Sequence, residues 1–260
     1  MDVIKISLQG GGYATGYLHE DYPRLIRHKV RPAIIVVPGG GYYYCCPREA
    51  DPVGMQYFAM GYNVFILEYA ILEKAKDYLP LRQLAEAVHE VRAHAVEWHI
   101  DPERVAVIGF SAGGNLVGTL ATRFGDAALG LPGDCRPDAV ILGYPVITMG
   151  EYTHLKTREN VSGDRPELYD EFSVEKHVTA AMPPVFLWHT VDDESVPVQN
   201  SLLLLAAMQQ AGVPYECHLF AHGSHGSSVC NVEVERENPE VAAWMDLSKA
   251  WLNKQFHFVP

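Results

Sequence analysis

The stretch Gly109-Phe110-Ser111-Ala112-Gly113 sets one serine among small residues, after the apolar run "RVAVI" and before the helix-forming run "AGGNLVGTLATRF". A hydroxyl held on a sharp strand-to-helix turn can attack a carbonyl carbon, because glycines two residues either side remove the side chains that would obstruct it. The helix beginning there points its positive N-terminal end at the place where negative charge would collect on the attacked oxygen. A serine also needs a base, and the base needs a group that fixes its tautomer and balances its charge. After the run "PVFLWHT" the chain offers two neighbouring acids, Asp192 and Asp193, in "VDDESVP", and later two histidines, His222 and His225, in "HGSHG". Asp193 is preferred because it stands four residues before Pro197, in a "D-x-x-V-P" turn, with Asp192 as the alternative. His225 is preferred because its small neighbours let a loop bring an imidazole over the serine, leaving His222 as a surface loop residue. The chain order Ser111, Asp193, His225 is the one expected when the serine sits on a strand-to-helix elbow.

A second small-residue loop, "VVPGGGYYY", follows an earlier apolar run. Three glycines let backbone N–H groups approach a ligand closely, so Gly40 and Gly41, with the N–H of Ala112, are the expected oxyanion donors. Tyr42 and Tyr43 are the expected substrate contacts, holding an acyl chain or stacking on a sugar. Tyr44 follows them, and any of the three could instead pack the loop against the core. No metal or cofactor is needed for this chemistry. His89, His94 and His99 lie five apart, which spreads them around a helix axis, and "HEVRAH" is one residue longer than the zinc motif whose histidines share a face. His222, His225 and Cys230 have no accompanying ligand pattern, so no metal site is expected there.

Such a site has to be carried by a sheet. The runs "AIIVVPGGG" (Ala33 to Gly41), "NVFILEY" (Asn63 to Tyr69), "RVAVIGF" (Arg104 to Phe110), "DAVILGYPV" (Asp138 to Val146) and "PVFLWHT" (Pro184 to Thr190) are apolar throughout. Continuous rather than alternating apolarity predicts strands buried on both faces, as in a parallel sheet. The clearest helix runs from Leu81 to His99, with Leu84, Val88, Val91, Ala95 and Trp98 at three- and four-residue steps. Further helices are expected over Pro52–Met60, Ser111–Phe124, Val198–Gly212 and Pro239–Trp251. Alternating strands and helices predict an open, mostly parallel α/β sheet in a single domain over residues 1–260. Residues 147–172, polar after Tyr152, read as an irregular excursion that can serve as a small cap.

Composition limits the classes further. The chain has 260 residues, 48% of them hydrophobic, which suits a globular domain with a sizeable core. Lys and Arg number 20 against 32 Asp and Glu, a formal net charge of -12 that opposes nucleic acid and anionic membranes as partners. The first residues, "MDVIKISLQG", lack the basic and apolar regions of a secretion signal, so a cytoplasmic protein is expected. The five cysteines, Cys45, Cys46, Cys135, Cys217 and Cys230, suggest no disulfide framework, and a reactive thiol at Cys45 or Cys46 is the lesser expectation.

Several segments together, "RPAIIVVPGGGY" with "PREADPV", "VIGFSAGGNL", "GYPVITMGEYTH" with "TRENVSG", and "PPVFLWHTVDDESVPVQN" through "HLFAHGSHG", resemble the α/β-hydrolase esterases of the bifunctional feruloyl and acetyl-xylan esterase type. The resemblance runs from about Ala14 to His225. It implies an α/β-hydrolase fold with a minimal cap and a carboxylic-ester hydrolase with Ser111, Asp193 and His225 as its triad. It further implies a small-molecule ester as substrate, with acetyl groups on sugars or xylan fragments in view. Two departures stand out: Pro38 where many lipases carry a histidine before the glycines, and Lys156 where a small residue is expected. A homodimer is compatible with this reading, although no interface residues stand out. A prolyl-oligopeptidase-type peptidase shares the elbow and the residue order, but 260 residues leave no room for its propeller. A catalytically inactive binding module is the remaining alternative, and such modules usually lack the acid or the histidine.

Overall fold

The computed structural model describes residues 1–21 and 29–259. Among the described residues eight strands form one sheet: β1 (Asp2–Ser7), β2 (Tyr13–Leu18), β3 (Arg31–Val37), β4 (Asn63–Glu68), β5 (Ile100–Phe110), β6 (Ala139–Gly143), β7 (Val185–Thr190) and β8 (Tyr215–Phe220). Their spatial order is β1-β2-β4-β3-β5-β6-β7-β8. β2 runs antiparallel to β1 and β4, and every pairing from β4 onward is parallel. The helices are α1 (Asp51–Ala59), α2 (Leu79–Ala93), α3 (Ser111–Arg123), α4 (Leu155–Ser162), α5 (Tyr169–Phe172), α6 (Gln199–Ala211) and α7 (Pro239–Phe256).

The apolar runs become central strands because alternate residues of one strand serve opposite cores. On β3, Ile35 and Val37 join the core formed with Leu84 and Val88 of α2, Val117 of α3 and Leu204 of α6. Ile34 and Val36 join the other, with Val53 and Tyr57 of α1 and Trp244 and Leu252 of α7. A strand covered on both sides can carry no polar alternation, and each large aliphatic side chain buried there contributes ~1.5–3 kcal/mol.

The expected parallel α/β architecture is present, with three differences. β1, β2 and β8 were not anticipated: β2 alternates between buried and half-buried residues, and β8 is an edge strand that is nowhere buried. Neither matches the continuous pattern of an interior strand. The helix expected to reach His99 ends at Ala93, because the chain must reverse to enter β5, where Ile100 pairs with Arg31. The reversal is held by the Asn63 amide donating to the Trp98 carbonyl at 3.1 Å and by His99 in the left-handed region, φ 53. Residues 147–172 are more regular than expected and contain α4 and α5, anchored by buried Val161 and Phe172.

Candidate active site

The segments singled out from the sequence all emerge at the carboxyl ends of parallel strands, where open α/β sheets bind ligands. The glycine loop follows β3, Ser111 follows β5, Asp193 follows β7 and His225 follows β8. Ser111 is the first residue of α3 and takes φ 51, a left-handed conformation that costs a non-glycine residue ~1–3 kcal/mol. Gly113 makes the elbow possible, since a Cβ there would lie 2.3 Å from the Val37 carbonyl oxygen and 2.4 Å from that of Pro38. These contacts are with backbone that cannot step aside. The elbow and the glycine loop are therefore packed directly together.

Ser111, His225 and Asp193 form a continuous hydrogen-bonded chain. His225 Nε2 lies 2.8 Å from Ser111 Oγ, and His225 Nδ1 lies 2.7 Å from Asp193 Oδ2. An ionised carboxylate only accepts, so Nδ1 donates and Nε2 presents its lone pair to the serine hydroxyl. The other oxygen, Asp193 Oδ1, accepts the N–H groups of Ser195 and Val196, each at 2.9 Å. Burial would raise the Asp193 carboxyl, but hydrogen bonds from His189 and His225 outweigh it and hold the group well below the ordinary carboxylate range. Asp192 is occupied elsewhere: it pairs with His222 at 2.9 Å and accepts the Gly223 N–H at 2.8 Å, in an exposed position. The adjacent aspartates thus form two parallel aspartate–histidine pairs, and only the pair containing Asp193 reaches the serine.

His189 was not anticipated, although a histidine inside the apolar run "PVFLWHT" was a visible signal. It is wholly buried on β7, its Nε2 lies 3.0 Å from the Val196 carbonyl and 3.4 Å from Asp193 Oδ2, and its Nδ1 lies 2.7 Å from Ser201 Oγ. Both partners of Nε2 are acceptors, so that nitrogen carries a proton and clamps the acid-bearing loop.

The glycine loop turns sharply at Gly40, φ 115, where a Cβ would lie 2.1 Å from the Tyr44 carbonyl oxygen. Its internal hydrogen bonds use the Gly39 and Gly40 carbonyls, and no N–H of Gly40 or Gly41 is engaged among the described residues. Ala112 is the second residue of α3, so its N–H has no acceptor within the helix. Gly40, Gly41 and Ser111 border a cavity of about 360 Å³ together with Tyr43, Tyr44 and His225. The rest of its wall comes from Cys46, Arg48, Glu49, His154, Lys156, Ser195 and Gly226.

Of the two tyrosines expected to contact substrate, only Tyr43 borders the cavity, as does Tyr44. Tyr42 is a correction: it is 2% exposed, its ring meets Tyr69 edge to face, and its hydroxyl donates to Asn115 at 3.2 Å. A left-handed φ of 56 turns it away from its neighbours and into the core. Lys156 stands on the cavity wall, ion-paired with Glu159 at 3.1 Å. His154, beside it, accepts the Thr157 N–H as the N-terminal cap of α4. Burial pushes the Cys45 thiol up to about 12 and raises that of Cys46, which opposes the thiolate that a reactive cysteine requires.

The sheet order, the serine elbow after β5 and the acid and histidine after β7 and β8 define an α/β hydrolase. Residues 22–208 match the BD-FAE family, and the chain belongs to it. Endo-1,4-beta-xylanase B of Butyrivibrio fibrisolvens is 37% identical over 226 residues, covering 84% of this chain and 35% of that protein. The chain thus spans about a third of this curated relative. Among solved structures, the acetyl ester-xyloside bifunctional hydrolase from Caldicellulosiruptor lactoaceticus is 34% identical with a TM-score of 0.84, covering 96% of this chain and 90% of that one. Carboxylesterase Cest-2923 from Lactobacillus plantarum WCFS1 is 27% identical with a TM-score of 0.88, covering 100% of both chains.

Proposed function

We propose that this protein is a serine carboxylic-ester hydrolase acting on short acyl esters, with acetyl groups on sugars or xylan fragments as the favoured class. The observation that carries the reading is the hydrogen-bonded chain from Ser111 through His225 to buried Asp193, opening into a cavity of about 360 Å³. Ser111 attacks the ester carbonyl while His225 takes its proton, and Asp193 fixes the tautomer and offsets the imidazolium charge. The N–H groups of Gly40, Gly41 and Ala112 receive the oxyanion, each donor worth ~10²–10³ in turnover. His225 then protonates the departing alcohol, and water repeats the cycle on the acyl-enzyme. The sugar-acetate class is supported by the relatives, one of which is named for activity on an acetyl ester and a xyloside.

Hydrolysis of p-nitrophenyl esters from acetate to octanoate, beside an acetylated xylo-oligosaccharide, tests substrate class. Highest kcat/KM on acetate and release of acetate from the sugar are expected. Preference for the long chains, or an intact sugar acetate, would overturn the assignment of acyl size and class.

A further inference from the structure

The floor of the cavity holds a carboxyl group that the proton relay does not use. Glu49 ends the single helical turn Pro47–Glu49 between the glycine loop and α1, and it is 2% exposed. Its Oε2 accepts the Gly39 N–H at 2.7 Å, and its Oε1 accepts the Tyr144 hydroxyl at 2.7 Å. Tyr144 donates there: its hydroxyl's other partner, the Ser228 N–H at 3.0 Å, is itself a donor and leaves the hydroxyl proton for Glu49. Both carboxyl oxygens therefore accept. An ionised carboxylate satisfies that pattern, whereas a protonated acid would have to donate from one of them.

The two partners of Glu49 lead to the two halves of the site. Gly39 precedes the Gly40 and Gly41 N–H groups and sits under the serine, since a Cβ on Gly39 would lie 2.8 Å from both Glu49 Oε2 and Ser111 Cβ. Tyr144 lies edge to face against the His225 ring, centroids 4.9 Å apart. Such a carboxylate is costly to bury, and this one has two strong donors and a neighbouring imidazole to set against the cost.

We propose that Glu49 is a positioning residue of the ester-hydrolysing site. Its carboxylate fixes Gly39, and with it the Gly40 and Gly41 donors; it holds Tyr144 against His225, and it adds a second negative charge beside Asp193 that favours the imidazolium formed when Ser111 is deprotonated. The role in turnover rests on the ester-hydrolase reading above. The effect on His225 charge does not.

Other groups face both residues. His225 is faced by Asp193, Ser111, Tyr144, Glu49 and His154, and Arg48 lines the same cavity. Glu49 faces Arg48, Cys46, Tyr44, Tyr69, Tyr144 and His225. Burial raises the Glu49 carboxyl above its ordinary range, and the hydrogen bonds from Tyr144 and Gly39 and the His225 charge oppose that rise.

The test pairs pH profiles with an NMR titration of the His225 ring in the wild type, Glu49→Gln, Glu49→Asp and Tyr144→Phe. Glu49→Gln is expected to lower kcat by ~10²-fold, the scale of one lost oxyanion donor, with KM changed less. The acidic limb of kcat/KM and the His225 titration both move to lower pH, because a negative charge that favoured the protonated ring is gone. Glu49→Asp, which keeps the charge, returns both toward wild type. Tyr144→Phe removes a donor from the carboxylate, so Glu49 loses its charge at higher pH and the His225 titration and acidic limb move in the same direction as in Glu49→Gln, by less. This variant keeps the proposal testable if Glu49→Gln does not fold. Reduced activity at every pH with the limb and titration unmoved would overturn the proposal. A protein that hydrolyses no ester but shows the His225 shift would overturn the ester-hydrolase reading and leave the Glu49–His225 coupling standing.

Discussion

Replacing Asp193 by Asn changes one atom and should nearly abolish turnover. The Ser195 and Val196 N–H groups both point at Oδ1, so the amide oxygen of an asparagine must occupy that side. Its NH2 then falls where Oδ2 stood, 2.7 Å from His225 Nδ1 and 3.4 Å from His189 Nε2. Nδ1 can meet an NH2 only as an acceptor, which moves the imidazole proton to Nε2 and leaves no lone pair for the Ser111 hydroxyl. A triad held in the wrong tautomer loses ~10⁴-fold in kcat, which at 1.36 kcal/mol per tenfold is ~5.4 kcal/mol of transition-state stabilisation. Asp192→Asn is the matched control, since Asp192 and His222 form an exposed pair and kcat should stay within about twofold. The assay is p-nitrophenyl acetate hydrolysis at saturating substrate, with near-UV circular dichroism to show that both variants fold. Retention of more than about a tenth of wild-type kcat by Asp193→Asn, or a large loss in Asp192→Asn, would refute the tautomer argument.

Two further predictions concern stability. Gly113→Ala should lower the thermal midpoint by several degrees, because its methyl would press on the Val37 and Pro38 carbonyls, and overpacking costs ~1–3 kcal/mol or more; an unchanged scanning-calorimetry midpoint would show that β3 and α3 are not locked together. Burial, first among its causes, lowers His19 and His154 below the ordinary histidine range. The unfolded chain therefore binds protons first, so stability should be greatest above ~pH 6.5 and fall as the pH drops through that value toward the lower folded values. Urea midpoints for wild type and His154→Asn at pH 7.5 and 5.5 check this, the variant losing less on acidification.

The parallel core was legible in the sequence because strands covered on both faces cannot be mistaken for half-exposed ones: the runs containing Ile34 to Val37 and Phe186 to Trp188 admit one reading. β2 and β8 were not legible for the converse reason, since a strand at or near an open edge carries a mixed pattern that a loop can share. At the site, Ser111, Asp193 and His225 could be named because small residues and a turn proline mark the backbone that carries them. Tyr42 could not be separated from Tyr43, because the left-handed φ that sends one ring into the core is not written in three identical residues. Glu49 left no mark either. A charged residue near a helix start reads as solvated, and only the fold brings the Gly39 N–H and the Tyr144 hydroxyl to it.

The central claim is that the His225–Asp193 pair makes Ser111 a nucleophile in the folded protein. Treatment with a fluorophosphonate, followed by intact mass and peptide mapping, reads this directly. A single adduct on Ser111 is expected, absent from Ser111→Ala and formed far more slowly in His225→Ala. A folded protein that takes up no label, or takes it up on another residue, would contradict the claim.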